Sequence, residues 1–442
     1  MSTKRAACCL LGLVTWVGCR GPEFQLAVGE PSGGGTEDLP ESCEPEEGHR
    51  VGEDCGIFVA PEGRGDGSRA SPLGSLEEAV ALGGRIYLCG AGLDGRIEIL
   101  SDVTLHGGLA CGSFAWDLDS RSELTAPAGL TPLVVRSPAV VVASGLRIVA
   151  APAEAPSSSS VALLAEAGAD LTLERVDLVA ADGADGLPGL EGDPGENGAN
   201  GNAGSSTLGG TGGTSRCGAA GGKGGNPGSS VASNGSSGQP LAQANGGAAG
   251  CAAGASGDNG GVGSDAEPVD ALGAISIDGF VAAIGEGGEP GAPGGGGGGG
   301  GGVPGAGGGG GGAGGCGGGG GGPGGSGGSS FAIVTTGATL RFVDATAAVG
   351  RGGRGARGGI GGDAGAPGDG AAGLGGACGG GGGGVGGDGG RGAAGAGGHA
   401  AIVAFLGAEP TLDGLSFDPP SAEQAGESDE GVPGLAAPTL EL

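Results

Sequence analysis

Lysine is nearly missing from this chain, with Lys4 and Lys223 its only occurrences in 442 residues. Aromatic side chains make up 2% of the sequence, and there is one Tyr and one Met. The formal charge is -30. A nucleic-acid binder needs Lys and Arg to replace counterions around phosphates, so this balance excludes that class of partner. After residue 17 no apolar run is long enough to span a bilayer. Large side chains occur only in short clusters, and much of the 37% apolar content is Ala, so any core is thin and local. No CxxC exists, and His49, His106 and His399 are scattered, so a metal site has no ligand set. No cofactor motif stands out.

What is abundant is glycine, 121 residues of it, in tracts such as GENGANGNAGSSTLGGTGGTSRCGAAGGKGGNPG at 195–228. Export is written at the N-terminus: Lys4 and Arg5 precede an apolar stretch from Ala6 to Val17, then Gly18 and Cys19. The segment resembles a bacterial lipoprotein signal, which implies removal of residues 1–18 and lipidation of Cys19. Trp16 departs from that pattern, and ordinary secretion is the alternative. An exported chain can keep disulfides, and eight further cysteines remain. Pairing between sequence neighbours gives Cys43–Cys55, Cys89–Cys111, Cys217–Cys251 and Cys316–Cys378.

Residues 19–54 are rich in Gly, Pro, Glu and Ser and predict an acidic disordered tether. The texture then changes. Ser75 can cap a short helix through Leu82, with Glu78 as its capping-box partner. Short runs of alternating apolar residues follow, such as Ile97, Ile99, Val103 and Leu105, the pattern of half-buried strands. One phrase recurs: LTLERVDL at 171–178, ISIDGFVA at 275–282, LRFVDATA at 340–347 and PTLDGLSF at 410–417. Each puts apolar residues at relative positions 1, 3, 6 and 8, as two strands separated by a bend. A preceding run such as SVALLAEAGA, SFAIVTTGA or AAIVAFLGA supplies a further strand. The fold class expected is therefore all-β, a right-handed parallel β-helix or solenoid. A β-sandwich with long loops is the alternative.

The stretch DGSRASPLGSLEEAVALGGRIYLCGAGLDGRIEILSDVTLHGGLACGSFAW is similar to the first coils of a family of exported myxobacterial β-helix lipoproteins, through Tyr87, Leu88, Cys89, Gly107, Gly108, Cys111 and Trp116. The Gly-rich tracts resemble the PGRS-type tracts of such proteins. The resemblance spans residues 56–182 and extends further by composition alone. It implies a pectate-lyase-like β-helix and no known activity.

The expected division is a β-helix over 55–181 with further coils at 267–285, 330–350 and 399–420. Gly-rich insertions fill 182–266, 286–329 and 351–398 at one corner, and 421–442 is a disordered acidic tail. For the insertions, flexible disorder competes with collagen and with a bundle of polyproline-II or polyglycine-II strands. Collagen needs a long Gly-X-Y register with abundant proline. The register from Gly183 to Gly204 contains only Pro188 and Pro194. A threefold extended strand puts every third residue on one side, where glycine lets backbones approach and bond. Cysteines inside the insertions favour that ordered bundle, because a crosslink is wasted on a floppy linker.

Glycine at this density also generates motifs by accident. Gly260–Asp265 and Gly383–Asp388 match the start of a calcium-binding nonapeptide but are not in tandem, and Ser326 sits in a formal GxSxG without a flanking strand or helix. A polysaccharide-lyase reading would draw on Asp170, Asp177 and Arg175, or on Asp344 and Arg341, with Tyr87 and Trp116 as sugar platforms. Solvation of a coil surface is the competing account. The function expected is a non-enzymatic structural or adhesive lipoprotein of a bacterial outer membrane, surface-exposed or periplasmic. Its expected partners are the membrane, through the lipid, and an envelope polysaccharide or surface partner. A carbohydrate-active β-helix enzyme and an ice- or crystal-surface binder are the alternatives.

Overall fold

A computed structural model of the chain describes residues 39–90, 92–239 and 244–442. The expected signal, Cys19 and residues 20–38 of the tether lie outside the described residues. From Pro40 onward the chain forms one compact unit.

Three parallel sheets carry the architecture. The first contains Ile57–Val59, Gly84–Cys89, Val103–Ala110, Val140–Ser144, Asp170–Glu174 and Thr339–Val343. The second contains Leu93–Asp94, Ser122–Ala126, Leu146–Ala150, Asp177–Val179, Ala345–Ala348 and Leu415–Phe417. The third contains Ile97–Ile99, Leu133–Val135, Ser160–Ala165, Ser330–Thr335, Ala400–Phe405 and Ala436–Glu441. From Gly84 to Phe405 the chain visits the first, second and third sheets in turn, and the strands named above pair parallel throughout. An antiparallel sandwich does not fit that order. Ala115–Trp116 adds one antiparallel strand at the side.

Register stacks like on like. Ile86, Leu105, Ala143, Leu173 and Phe342 form one column. Leu93, Leu124, Ile148, Leu178, Ala347 and Phe417 form another. Ile97, Leu133, Leu163, Ile333 and Val403 form the third. Their side chains meet in one core cluster. Each large aliphatic side chain removed from water there contributes about 1.5–3 kcal/mol. The helix Leu76–Leu82 turns Leu76, Ala79 and Val80 inward beside it, and Ser75 caps it by accepting from the Glu78 N–H (3.2 Å).

The bend within the recurring phrase is a single residue in the left-handed region: Gly145 (φ 61), Arg175 (φ 51), Asp344 (φ 50) and Gly414 (φ 82). One such residue turns the chain from the first sheet to the second. The next corner, from second sheet to third, is where the insertions leave: residues 180–329, 349–399 and 418–435 all bridge it.

Three expectations need correction. ISIDGFVA is no coil, because Ala274–Ser276 and Gly279–Val281 pair antiparallel as a hairpin whose Phe280 packs edge-on against Phe331, outside the third sheet. Residues 182–329 are therefore one excursion interrupted by a hairpin. Residues 40–54 are no tether: Cys43–Cys55 and the Arg50–Glu41 ion pair (3.1 Å) hold them down, and the Tyr87 hydroxyl donates to the Cys43 carbonyl (2.9 Å). The 421–442 segment is no free tail either. Gly426 donates to the Gly398 carbonyl, Gly397 and Gly355 donate to the Val432 and Glu427 carbonyls, and Ala436–Glu441 pairs with Ala400–Phe405, covering that strand's open edge.

Candidate functional site

The three-sheet body offers little convergent chemistry. Asp170 is ion-paired with Arg341, Asp177 accepts from the Thr346 hydroxyl (2.8 Å), and Arg175 donates to the Leu118 carbonyl (2.8 Å). Asp170 and Arg341 thus neutralise each other across neighbouring strands, Asp177 and Arg175 are held by neutral partners, and Asp344 stands exposed at its corner. Tyr87 and Trp116 are buried, so neither is a sugar platform. Their rings pack with Phe58, Phe114 and His106 on the first sheet. Burial pushes the His106 imidazole down to about 4, so it is neutral at pH 7 and shares a hydrogen bond with the Ser144 hydroxyl (2.8 Å). His399 is likewise pushed down by burial.

One cleft of about 560 Å³ lies between the 274–281 hairpin and the third sheet, lined by Thr131, Ser157, Ser158, Phe280, Ile284 and Ser326. Its carboxylate, Asp278, is tied to Arg96, and the Ser326 oxygen accepts from the Ala396 N–H (3.0 Å). The Gly-x-Ser-x-Gly serine is thus a backbone prop. The carboxylates of the calcium-like motifs are spent similarly: Asp265 accepts from the Arg391 N–H (2.7 Å) and Asp388 from the Ala364 N–H (2.8 Å). Among the described residues no three ligating side chains are grouped to hold a metal ion.

The insertions are the distinctive element. They contain almost no helix or strand, yet their backbones bond with a period of three. Gly183, Gly186, Gly189, Gly192, Gly195, Gly198 and Gly201 donate in turn to Arg351, Arg354, Arg357, Ile360, Asp363, Ala366 and Asp369, at 2.8–3.0 Å. Donor and acceptor advance together, so these two segments run parallel. At the centre lies residues 306–316, buried throughout. The N–H groups of Gly310, Gly311 and Gly312 reach Asn202, Gly222 and Gly381 (2.9, 2.9 and 3.0 Å). Their carbonyls accept from Ala371, Gly213 and Gly297 (2.8, 2.9 and 2.8 Å). Three consecutive residues thus bond to six neighbouring segments.

Glycine content follows from that packing. A Cβ on Gly309, Gly310 or Gly311 would overlap the carbonyl oxygen of Ala371, Thr211 or Gly297. The central segment is therefore nearly all glycine. Residues 351–372 keep glycine at 10 of 22 positions, and the outer 183–204 segment at 8 of 22. Each glycine face marks a neighbour. The outer positions carry a feature the sequence reading missed, in which Asx side chains satisfy edge amides. Asp182, Asp185, Asn197 and Asn200 accept from the N–H groups of Arg351, Arg354, Ala366 and Asp369 at 2.6–2.8 Å, always 169 residues on. The signal was available as Asx recurring at multiples of three within Gly-X-Y triplets.

Four disulfides form. Cys43–Cys55 and Cys89–Cys111 join the expected neighbours. The other two cross over: Cys217 joins Cys316 and Cys251 joins Cys378. Local pairing fails there because Cys217 and Cys251 sit at turns whose spatial neighbours are segments 99 and 127 residues away. These bonds imply an oxidising, exported environment. No helix among the described residues is long and apolar enough to cross a membrane.

No family model, no curated protein and no solved structure matches this chain.

Proposed function

We propose that the chain is a non-enzymatic structural or adhesive element of a bacterial cell envelope, tethered by lipid on Cys19 and presenting a rigid glycine bundle. In this reading the three sheets are a parallel β-helix, right-handed by the general rule for parallel crossovers. The insertions are polyglycine-II-like strands packed at one of its corners. The observation that carries the reading is the central segment bonded on all sides and flanked by two long-range disulfides. Such a core holds outward side chains on a fixed lattice and leaves a protease little free backbone. The catalytic and metal chemistry that could compete for the same surfaces is tied up in backbone and ion-pair contacts. Envelope display also suits the acidic balance of the chain.

The test is made on intact source cells. Thiol alkylation before and after reduction should label the eight cysteines only after reduction. Surface proteolysis should release the protein while leaving residues 183–398 intact, and loss of the chain should weaken attachment of cells to polysaccharide-coated surfaces. Thiols that react without reductant, or a protein recovered only from cytosol, would overturn the proposal.

A further inference from the structure

Residues 209–225 form a hairpin seated on the central segment. Gly308 and Gly311 donate to the Gly225 and Gly222 carbonyls and accept from the Gly210 and Gly213 N–H groups, all at 2.9 Å. The hairpin turns back at 215–218, where Cys217 is bonded to Cys316. Beyond that disulfide the rows it occupied continue without it. Next in the row come Gly317 and Gly320, half-buried, with neither N–H nor carbonyl partnered among the described residues. Their neighbours are fully engaged: Gly318 donates to Gly387 and accepts from Gly291, and Gly321 donates to Gly390 and accepts from Gly288 (2.8–2.9 Å).

Both walls of this groove repeat the pattern. On one side Ala199 and Asn202 donate to the hairpin, while the N–H groups of Asp193 and Glu196, next in that row, have no acceptor among the described residues. On the other, Gly297 and Gly300 accept from Gly222 and Gly225, while the carbonyls of Gly291 and Gly294 stand open. The floor is glycine where the chain's own packing would make a Cβ tight without overlapping it. A Cβ on Gly319 or Gly322 would find its nearest atom at 3.0 or 3.2 Å, whereas one on Gly318 or its neighbour Gly321 would overlap a carbonyl. Under the hairpin the equivalent Gly310 is required by the Thr211 carbonyl above it.

We propose that this groove is a docking site for a glycine-rich, basic segment of a partner polypeptide, which continues the threefold lattice past the Cys217–Cys316 bond. Open donors and acceptors at three-residue spacing specify an extended threefold backbone. The glycine floor admits it at close approach. Its basic character follows from Asp193 and Glu196 on the wall, since Glu196 already pairs with the hairpin's Arg216 (2.8 Å) and the hairpin carries Arg216 and Lys223 without an acid. The proposal rests on the ordered bundle and is independent of where the protein is displayed.

The probe is a synthetic peptide of residues 209–225 with Cys217→Ser, titrated into the oxidised full chain labelled with 15N-glycine. In the free protein the Gly317 and Gly320 amides should exchange with solvent while Gly318 and Gly321 stay protected. On titration Gly317 and Gly320 should shift and gain protection. A peptide with Gly212→Ala and Gly221→Ala should bind at least about tenfold more weakly. Gly322→Leu, which fills the groove, should abolish the shifts while Gly318 and Gly321 stay protected. No shift at the solubility limit of the peptide, equal binding by the alanine peptide, or undiminished binding to Gly322→Leu would overturn the docking site. Free exchange at Gly318 and Gly321 as well would mean instead that the bundle itself is not formed.

Discussion

A glycine that faces a neighbouring carbonyl has no side chain to lose and no room to gain one. At Gly311 an added methyl would overlap the Gly297 carbonyl inside a segment fixed on all sides, so the backbone cannot move aside. Gly311→Ala should cost about 1–3 kcal/mol or more, as overpacking does. At exposed Gly261 nothing lies within 4 Å of the same methyl, and Gly261→Ala should change stability by less than about 0.5 kcal/mol. Paired thermal melts check the contrast, and equal effects at both sites would mean that the packing around Gly311 is loose. Titration provides a second residue-level test. His106 folds neutral, with its pKa held below the unfolded value, so its contribution is complete above about pH 6.5 and is lost as pH falls through the window toward 4. The shift corresponds to about 3 kcal/mol. The double variant His106→Phe, Ser144→Ala keeps the stacking on Tyr87 and removes the titrating group. Its melting temperature should fall less than the wild type's between pH 6.5 and 4.5.

Elements show how far the sequence could be read. The columns of the three sheets were legible in the 1, 3, 6, 8 spacing because inward side chains must alternate, and the bend was legible because a corner needs one left-handed residue. ISIDGFVA carries the same spacing and even the same Asp-Gly as PTLDGLSF, yet folds on itself. What differs is upstream: residues 266–274 lack the six-residue apolar run that becomes a third-sheet strand before every other copy, so no neighbour fixes Ile275 in register. Bundle order was legible in the Gly-X-Y period, but the disulfide partners were not. In a lattice of parallel and antiparallel segments, spatial neighbours carry no short sequence separation. The corner residue gives one prediction. Asp344 is exposed and left-handed at φ 50, so Asp344→Gly should relieve backbone strain and stabilise by about 0.5 kcal/mol after its own entropy cost. The staples give another. Replacing Cys251 and Cys378 with Ser opens a crosslink of 127-residue separation and should cost about 2–4 kcal/mol, read from denaturant midpoints.

At the scale of the whole molecule, the sheets and the bundle share their strands. The central segment continues through residues 317–329 into Ser330–Thr335, and residues 380–398 run into Ala400–Phe405, while Asp177–Val179 and Ala345–Ala348 lead out into the segments paired from Gly183 onward. Ser329 and Ser330 lie at the junction, and their hydroxyls accept from His399 and Gly350 across it. Breaking the bundle therefore frays the ends of third-sheet strands that also bury Leu163, Ile333 and Val403. An appended module would melt separately, but one built from the same strands should not. Trp116 reports from the opening strands, far along the chain from the insertions, and threefold-helix circular dichroism reports the bundle. In the oxidised protein the two signals should melt in a single coincident transition. Amide exchange below it should show protection of every amide from Gly307 to Ala313 but only of each third residue from Gly186 to Gly195, because only those N–H groups point at a neighbour. After reduction both signals should move together to lower temperature. A bundle that melts while Trp116 stays buried would show the strands uncoupled at Ser329, and the lattice would then be cargo carried by the three sheets rather than part of one rigid body with them.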